Sequence, residues 1–115
     1  MLCKKRNSLT RKNRISSYKE IIKIIKNGNK IREKNLIFYY KTNNINYDRI
    51  AILVGKENGN SVKRNKIKRI IREVFRKNQT ENPPFYDILI KPVGENFLPS
   101  EIEECYLKWK ESQKK

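Results

Sequence analysis

Apolar positions divide this chain into elements of two different periods. From Ser17 to Gly28, the residues Tyr18, Ile21, Ile22 and Ile25 follow the spacing of an amphipathic α-helix. Ser17-Tyr18-Lys19-Glu20 reads as a capping box at its start, and Gly28 as a left-handed C-terminal cap. The run Leu36-Ile37-Phe38-Tyr39-Tyr40 is rich in β-formers, and a polar turn around residues 43–46 separates it from Arg49-Ile50-Ala51-Ile52-Leu53-Val54. These two runs are expected to pair as antiparallel strands. Gly55-Lys56-Glu57-Asn58-Gly59-Asn60 is turn chemistry, with Asn60 or Ser61 placed to cap the helix that follows. In that helix Ile67, Ile70, Ile71, Val74 and Phe75 make a regular apolar stripe that must face a core. Pro83-Pro84 stops the next segment, residues 86–90 read as a last short strand, and Leu98-Pro99-Ser100 leads into a final helix. There Ser100 with Glu103 suggests a second capping box, and Ile102, Cys105, Tyr106 and Trp109 share one face.

The resulting order is α, β, β, a further short β at most, α, β, α. It predicts an α/β (α+β) two-layer sandwich with helices packed on a small mixed sheet. A chain of 115 residues without an internal repeat is expected to be one domain spanning 1–115.

Charge changes the picture most at residues 61–77, where eight basic residues stand against one acid. On a helical wheel Asn65, Arg69, Arg72 and Arg76 fall within roughly 60° of one another, opposite the apolar stripe, with Lys66 and Lys68 beside them. A solvated helix face normally mixes signs, because like charges one turn apart repel by a few tenths of a kcal/mol per pair. A polyanionic partner would relieve that repulsion. Lys outnumbers Arg 19 to 9 in the chain, yet four of the nine Arg lie in residues 64–76, which suits bidentate phosphate recognition. The whole chain carries a formal +16, and residues 1–14, with Lys4, Lys5, Arg6, Arg11, Lys12 and Arg14, read as a basic flexible arm. No apolar run is long enough to cross a membrane and no secretory signal pattern is present, so a soluble, cytoplasmic protein is expected.

Candidate chemistry is sparse. The chain has no His, only Asp48 and Asp87 as aspartates, and two Cys, Cys3 and Cys105, without metal-ligand spacing. Glu101, Glu103 and Glu104 suit the first turn of a helix better than a metal cluster. Imidazole acid/base catalysis is excluded, and neither a protein-only metal site nor a stand-alone nuclease is expected.

At this point the chain closely resembles the protein component of bacterial ribonuclease P. The resemblance rests on the basic N-terminus, a first helix ending Lys26-Asn27-Gly28, the runs Val54-Gly55-Lys56 and Gly59-Asn60-Ser61-Val62, and Arg64-Asn65-Lys66-Ile67-Lys68-Arg69-Ile70-Ile71-Arg72-Glu73. It implies an α/β sandwich with a left-handed crossover around the basic helix. It also implies a subunit that assists a catalytic RNA in removing the 5′ leader of precursor transfer RNA, with Mg²⁺ bound mainly by that RNA and its substrate, in a 1:1 protein–RNA holoenzyme. Arg64, Asn65, Lys66, Lys68, Arg69 and Arg72 would then contact the catalytic RNA, with Arg76 and Lys56 extending the cationic surface. A cleft beside the first helix would hold the single-stranded leader, with Tyr39, Tyr18, Ile21 and Ile25 as candidate lining residues. Tyr39 suits an ordinary core position as well as a stacking platform. Ile21 and Ile25 stand where many members carry Phe, and Lys66 stands where the family's Arg-Asn-Arg motif has Arg at its third position. The alternative from another class is a small ribosomal or other structural RNA-binding protein. A DNA-binding helix-turn-helix fits less well, because a strand and a Gly-containing loop precede the basic helix.

Overall fold

The computed structural model describes residues 13–79 and 84–113. Helix α1 spans Tyr18–Asn27, and the Glu20 N–H donates to Ser17 Oγ at 3.5 Å. The reciprocal half of the expected capping box does not close, because the Glu20 carboxylate accepts from Arg49 instead, at 3.4 Å. The buried residue of α1 is Ile24, while Tyr18 and Ile25 from the expected stripe are exposed. Ile21, Ile22, Ile24 and Ile25 together cover a wide arc, so hydrophobicity alone does not choose the centre of the face. Gly28 is extended, with φ −88° and ψ −177°, and not left-handed. Glycine is needed there because a Cβ would lie 2.6 Å from Ile24 O and 2.7 Å from Tyr40 O.

The chain passes directly into β1 (Asn29–Glu33), an edge strand that the pattern did not reveal. Its sequence Asn-Lys-Ile-Arg-Glu holds one apolar residue, Ile31, which packs on the core. β1 pairs antiparallel with β2 (Leu36–Thr42). The expected pairing of β2 with β3 (Arg49–Ile52) is not formed, because β4 (Tyr86–Pro92) lies between them in the order β1-β2-β4-β3. β4 runs antiparallel to β2, with Phe38 opposite Ile90, and parallel to β3, with Ile50 opposite Ile88. Its run Ile88-Leu89-Ile90 is buried on both faces, as suits a central strand, and this last strand of the chain runs to Pro92, two residues beyond the expected 86–90.

A parallel pair needs a crossover, and α2 (Ser61–Lys77) supplies it. Asn60 caps α2 by accepting the Lys63 N–H at 3.0 Å, and Ile67, Ile70, Ile71, Val74 and Phe75 are buried as the pattern predicts. α3 (Pro99–Gln113) starts earlier than expected. Pro99 occupies the first helical position, and Glu101 accepts the Leu98 N–H at 3.3 Å, in place of the expected Ser100 to Glu103 box. Ile102, Cys105, Tyr106 and Trp109 bury as predicted, with the Trp109 and Phe38 rings stacked at 5.7 Å between centroids.

The sandwich of helices on a mixed sheet is the observed architecture. Leu36, Phe38, Tyr40, Ile50, Ile88 and Ile90 face α2 and α3. The alternate residues Tyr39, Ala51 and Leu89 pack with Ile15, Ile21 and Ile24, so α1 lies over the other face. Two polar anchors hold this arrangement. Arg49 grips Asp87 with two hydrogen bonds, Nε to Oδ1 at 2.9 Å and Nη2 to Oδ2 at 2.7 Å, and reaches Glu20 on α1. Asn58 is fully buried; its Oδ1 accepts the Gly55 N–H at 2.9 Å and its Nδ2 donates to Pro92 O at 3.0 Å and Gly94 O at 2.7 Å. The loop leading into α2 is thereby fastened to the end of β4.

The expected basic arm, residues 1–14, falls mostly outside the described residues. Residues 1–12 lie outside the described residues, but Asn13 is buried and donates to Asp48 O at 2.8 Å, and Arg14 bridges to Ile50 in parallel. Asp48 itself is buried and accepts the Tyr86 N–H at 2.7 Å.

Replacing Asn58 by Ala should cost about 2–4 kcal/mol, since it strands a buried N–H and two carbonyls. A thermal melt should show a midpoint lower by about 10 °C or more. A shift of only a degree or two would mean that the loop is held elsewhere. Burial pushes the Asp48 carboxyl above its ordinary 3.8. Its contribution is therefore fully present below that value and is lost as pH rises through the raised one. Asp48→Asn keeps an acceptor for Tyr86 and should gain stability relative to the parent chain between pH 4 and pH 7, read from denaturant titrations; a difference independent of pH would contradict this.

Candidate nucleic-acid interface

The apolar stripe of α2 fixes which way its cations point. Three of the eight basic residues on α2 are neutralised: Lys63 by Glu95 at 2.7 Å, Arg76 by Glu73, and Lys77 by Glu103 at 3.7 Å. Arg64, Lys66, Lys68, Arg69 and Arg72 form no ion pair among the described residues. The acid-paired cations sit at the two ends of the helix and the unpaired ones occupy its middle. Asn65, Lys66 and Arg69 are exposed, while Arg64, Lys68 and Arg72 are half-buried, their stems lying along the protein surface. Arg64 Nε is buried without a hydrogen-bond partner among the described residues. Lys56 is exposed in the short turn Lys56–Asn58 ahead of the helix. Arg76 belongs to the same helix face by sequence, but its guanidinium is already engaged by Glu73.

Beside this tract runs a groove of about 300 Å³. Arg14, Ile15, Ser16 and Ile21 form one wall, residues 50–53 of the β3 edge form the floor, and Lys68 and Arg72 form the other wall. One wall mixes the apolar Ile15 and Ile21 with Arg14 and Ser16 and the other is cationic, a combination that suits a strand carrying both flat bases and phosphates. A second concavity of about 490 Å³ on the other side of α2 includes Glu95 and Glu101 beside Lys63 and Lys66. Those carboxylates make it the poorer place for a polyanion.

The four candidate cleft residues do not form one wall. Ile21 lines the groove. Tyr39 lies on the same sheet face in the α1 cluster, half-buried, with Lys30 Nζ 5.7 Å from its ring centroid. Tyr18 is 76% exposed at the start of α1 and Ile25 is 42% exposed, and neither lines the groove. Sequence reasoning missed Ser16, the edge of β3, and the Arg49 clasp that holds the first turn of α1. Arg49 and its partner Asp87 are 38 residues apart, so no local spacing signals the pair. Asp87 keeps the Arg49 guanidinium charged well beyond its ordinary range, chiefly through their hydrogen bonds.

Among the described residues no group of three or more His, Cys, Asp or Glu side chains is placed to hold a metal ion. Asp48 and Asp87 are engaged by the Tyr86 N–H and by Arg49, so they do not make an open coordination set. No helix among these residues is long and apolar enough to cross a membrane.

Comparison with known proteins bears on this arrangement directly. Residues 9–109 match the Ribonuclease P family. The ribonuclease P protein component of Syntrophus aciditrophicus is 34% identical over 101 residues, covering 88% of this chain and 85% of that protein. The corresponding protein of Thermotoga petrophila is 33% identical over 85 residues, covering 74% and 73%. Among solved structures, the RNase P protein of Staphylococcus aureus superposes with a TM-score of 0.77 at 28% identity, covering 89% of this chain and 95% of that one. The RNase P protein of Thermotoga maritima gives 0.73 at 26% identity, covering 84% and 93%. With the fold, the cationic helix and the length of the match in agreement, the chain belongs to the ribonuclease P protein family.

Proposed function

We propose that this protein binds the catalytic RNA of ribonuclease P through the middle of α2 and the 5′ leader of precursor transfer RNA through the groove beside it. The observation that carries this reading is the run of five cations without acidic partners among the described residues in the middle of α2, two of which, Lys68 and Arg72, form a wall of that groove. Each is positioned by a helix whose other face is locked in the core, so phosphates meet a charge array that needs no rearrangement. Arg64, Arg69 and Arg72 supply planar forks, Lys66 and Lys68 point charges, and Asn65 a neutral hydrogen-bonding group between them.

The protein contributes placement and charge neutralisation, and hydrolysis of the phosphodiester rests on Mg²⁺ held by the RNA and its substrate. Neutralising phosphates around the leader lowers the Mg²⁺ concentration needed for cleavage, because fewer divalent ions must screen the same backbone. The complex is read as one protein per RNA, with one such cationic tract and one such groove among the described residues. Family membership favours this reading over a ribosomal or other structural RNA binder without a role in cleavage.

In a reaction at low Mg²⁺ with a bacterial ribonuclease P RNA, adding this protein should produce cleavage at the mature 5′ end of precursor transfer RNA, mapped by primer extension. RNA alone and protein alone should give little. Tight RNA binding with no stimulation of any matched RNA would favour the structural binder. The double replacement Arg69→Ala with Arg72→Ala should weaken RNA affinity about tenfold or more while leaving the thermal melt unchanged, because neither side chain is in the core. The log-log salt slope should fall by roughly 1.4–1.8, about 0.7–0.9 for each lost phosphate contact; an unchanged slope would place the contacts elsewhere.

A further inference from the structure

Helix α1 carries a second face that neither the core nor the groove uses. At about 100° per residue, Tyr18, Ile22 and Ile25 fall within roughly 60° of one another, and Lys19, Lys23 and Lys26 occupy the roughly 60° beside them. Buried Ile24 points the opposite way from the line between these two rows. Tyr18, Ile25 and all three lysines are exposed, and Ile22 is half-buried. Each row repeats at i, i+4 and i+7, so the two run side by side along about 10 Å of helix. Local stability does not account for this surface. Lysines one turn apart repel each other, and Lys19 stands in the first turn, where the helix dipole disfavours a cation; only Lys26, in the last turn, is favoured by it. None of the three lysines forms an ion pair among the described residues. Lone exposed apolar side chains are ordinary, but these three adjoin one another on one helix face.

We propose that this face docks an acidic amphipathic helix of a partner protein, its apolar stripe on Tyr18, Ile22 and Ile25 and its carboxylates on Lys19, Lys23 and Lys26. The inference stands apart from the leader reading, since none of these six residues lines the groove, to which α1 contributes Ile21. A partner helix repeats with the same period as the two rows, so one segment of about two to three turns meets both at once. Charge complementarity makes that segment acidic. RNA, the other polyanion, fits less well. α1 contains no Arg, whereas three of the five cations without acidic partners on α2 are Arg. Guanidinium forks and aromatic platforms serve phosphates and bases, while two isoleucines beside a tyrosine serve the apolar side chains of another protein. Lysine point charges at helical spacing place no demand for planar, two-pronged acceptors and suit separate carboxylates.

The probe is a synthetic labelled peptide of about 18 residues, with Leu along one helical face and Glu on both flanks. Its control has the same composition with Leu scattered around the helix, so charge is equal and only the stripe is lost. Fluorescence anisotropy with the full chain at about 0.15 M salt should show the striped peptide binding about tenfold or more tighter than the control. The pair Tyr18→Ser with Ile25→Ser should erase that difference. Lys19→Ala with Lys23→Ala should weaken the striped peptide about fivefold or more. Arg69→Ala with Arg72→Ala removes the same net charge from another helix and should change binding by less than about twofold. Equal binding of the two peptides, or an equal loss from both charge pairs, overturns the proposal, because the attraction would then be that of the whole cationic chain. Should a variant not fold, backbone amide shifts of the unaltered protein are followed by NMR as the striped peptide is added. They should centre on residues 18–26, and shifts centred on residues 61–77 overturn the proposal. It is also overturned if the striped peptide binds no better than its control while an oligouridylate, or phosphatidylserine vesicles, binds the parent chain and not the Tyr18 and Ile25 double variant; the face would then belong to RNA or to lipid.

Discussion

Strand β4 is buried on both faces, so it needs a neighbour on each edge and a covering layer on each side. β2 supplies one edge in the antiparallel sense and β3 the other in the parallel sense. The parallel pairing carries the larger consequence, because the chain leaving β3 must cross the sheet before it can form β4. α2 is that crossing. Its apolar stripe is pinned against Phe38, Ile88 and Ile90, and the rotation of the helix is no longer free. The direction of Arg64, Lys66, Lys68, Arg69 and Arg72 is thus a by-product of core packing, while their relation to the groove is a by-product of strand order.

Acidic residues are placed with the same economy. Glu73, Glu95 and Glu103 neutralise cations at the ends of α2, and Glu20 and Asp87 are drawn to Arg49. A net positive chain need not present a uniform positive surface, and here the acids at the ends of α2 leave Arg64, Arg69 and Arg72 without an acidic partner among the described residues. Hydrophobic burial and ion pairing act in concert here: the first chooses the face, and the second removes competing charge from its borders.

Elements with a single strong period were legible in the sequence. In α2 the spacing of Ile67, Ile70, Ile71, Val74 and Phe75 admits one solution, and the structure adopts it. In α1 four isoleucines share a wide arc, and the buried one, Ile24, was outside the expected stripe. β1 was hidden because an edge strand needs few apolar side chains, and Ile31 alone meets the core. Strand order was hidden for a different reason: the pattern specifies which residues bury, not which buried strands are adjacent. Of the candidate site, the cationic helix was readable from local charge. The groove was not, since its walls come from residues 14–21, 50–53 and 68–72, which only the sheet brings together.

Gly28 has a bearing on how the groove behaves. The helix runs into β1 with no connecting loop, and the close approach of Ile24 O and Tyr40 O leaves no space for a side chain at the junction. At its other end α1 is moored to Arg49 through Glu20. A helix held at both ends places Ile21 at a set distance from the sheet edge. The groove is accordingly held in shape by the fold, and under the proposed function the ordering on binding would fall mainly on the leader and not on the protein.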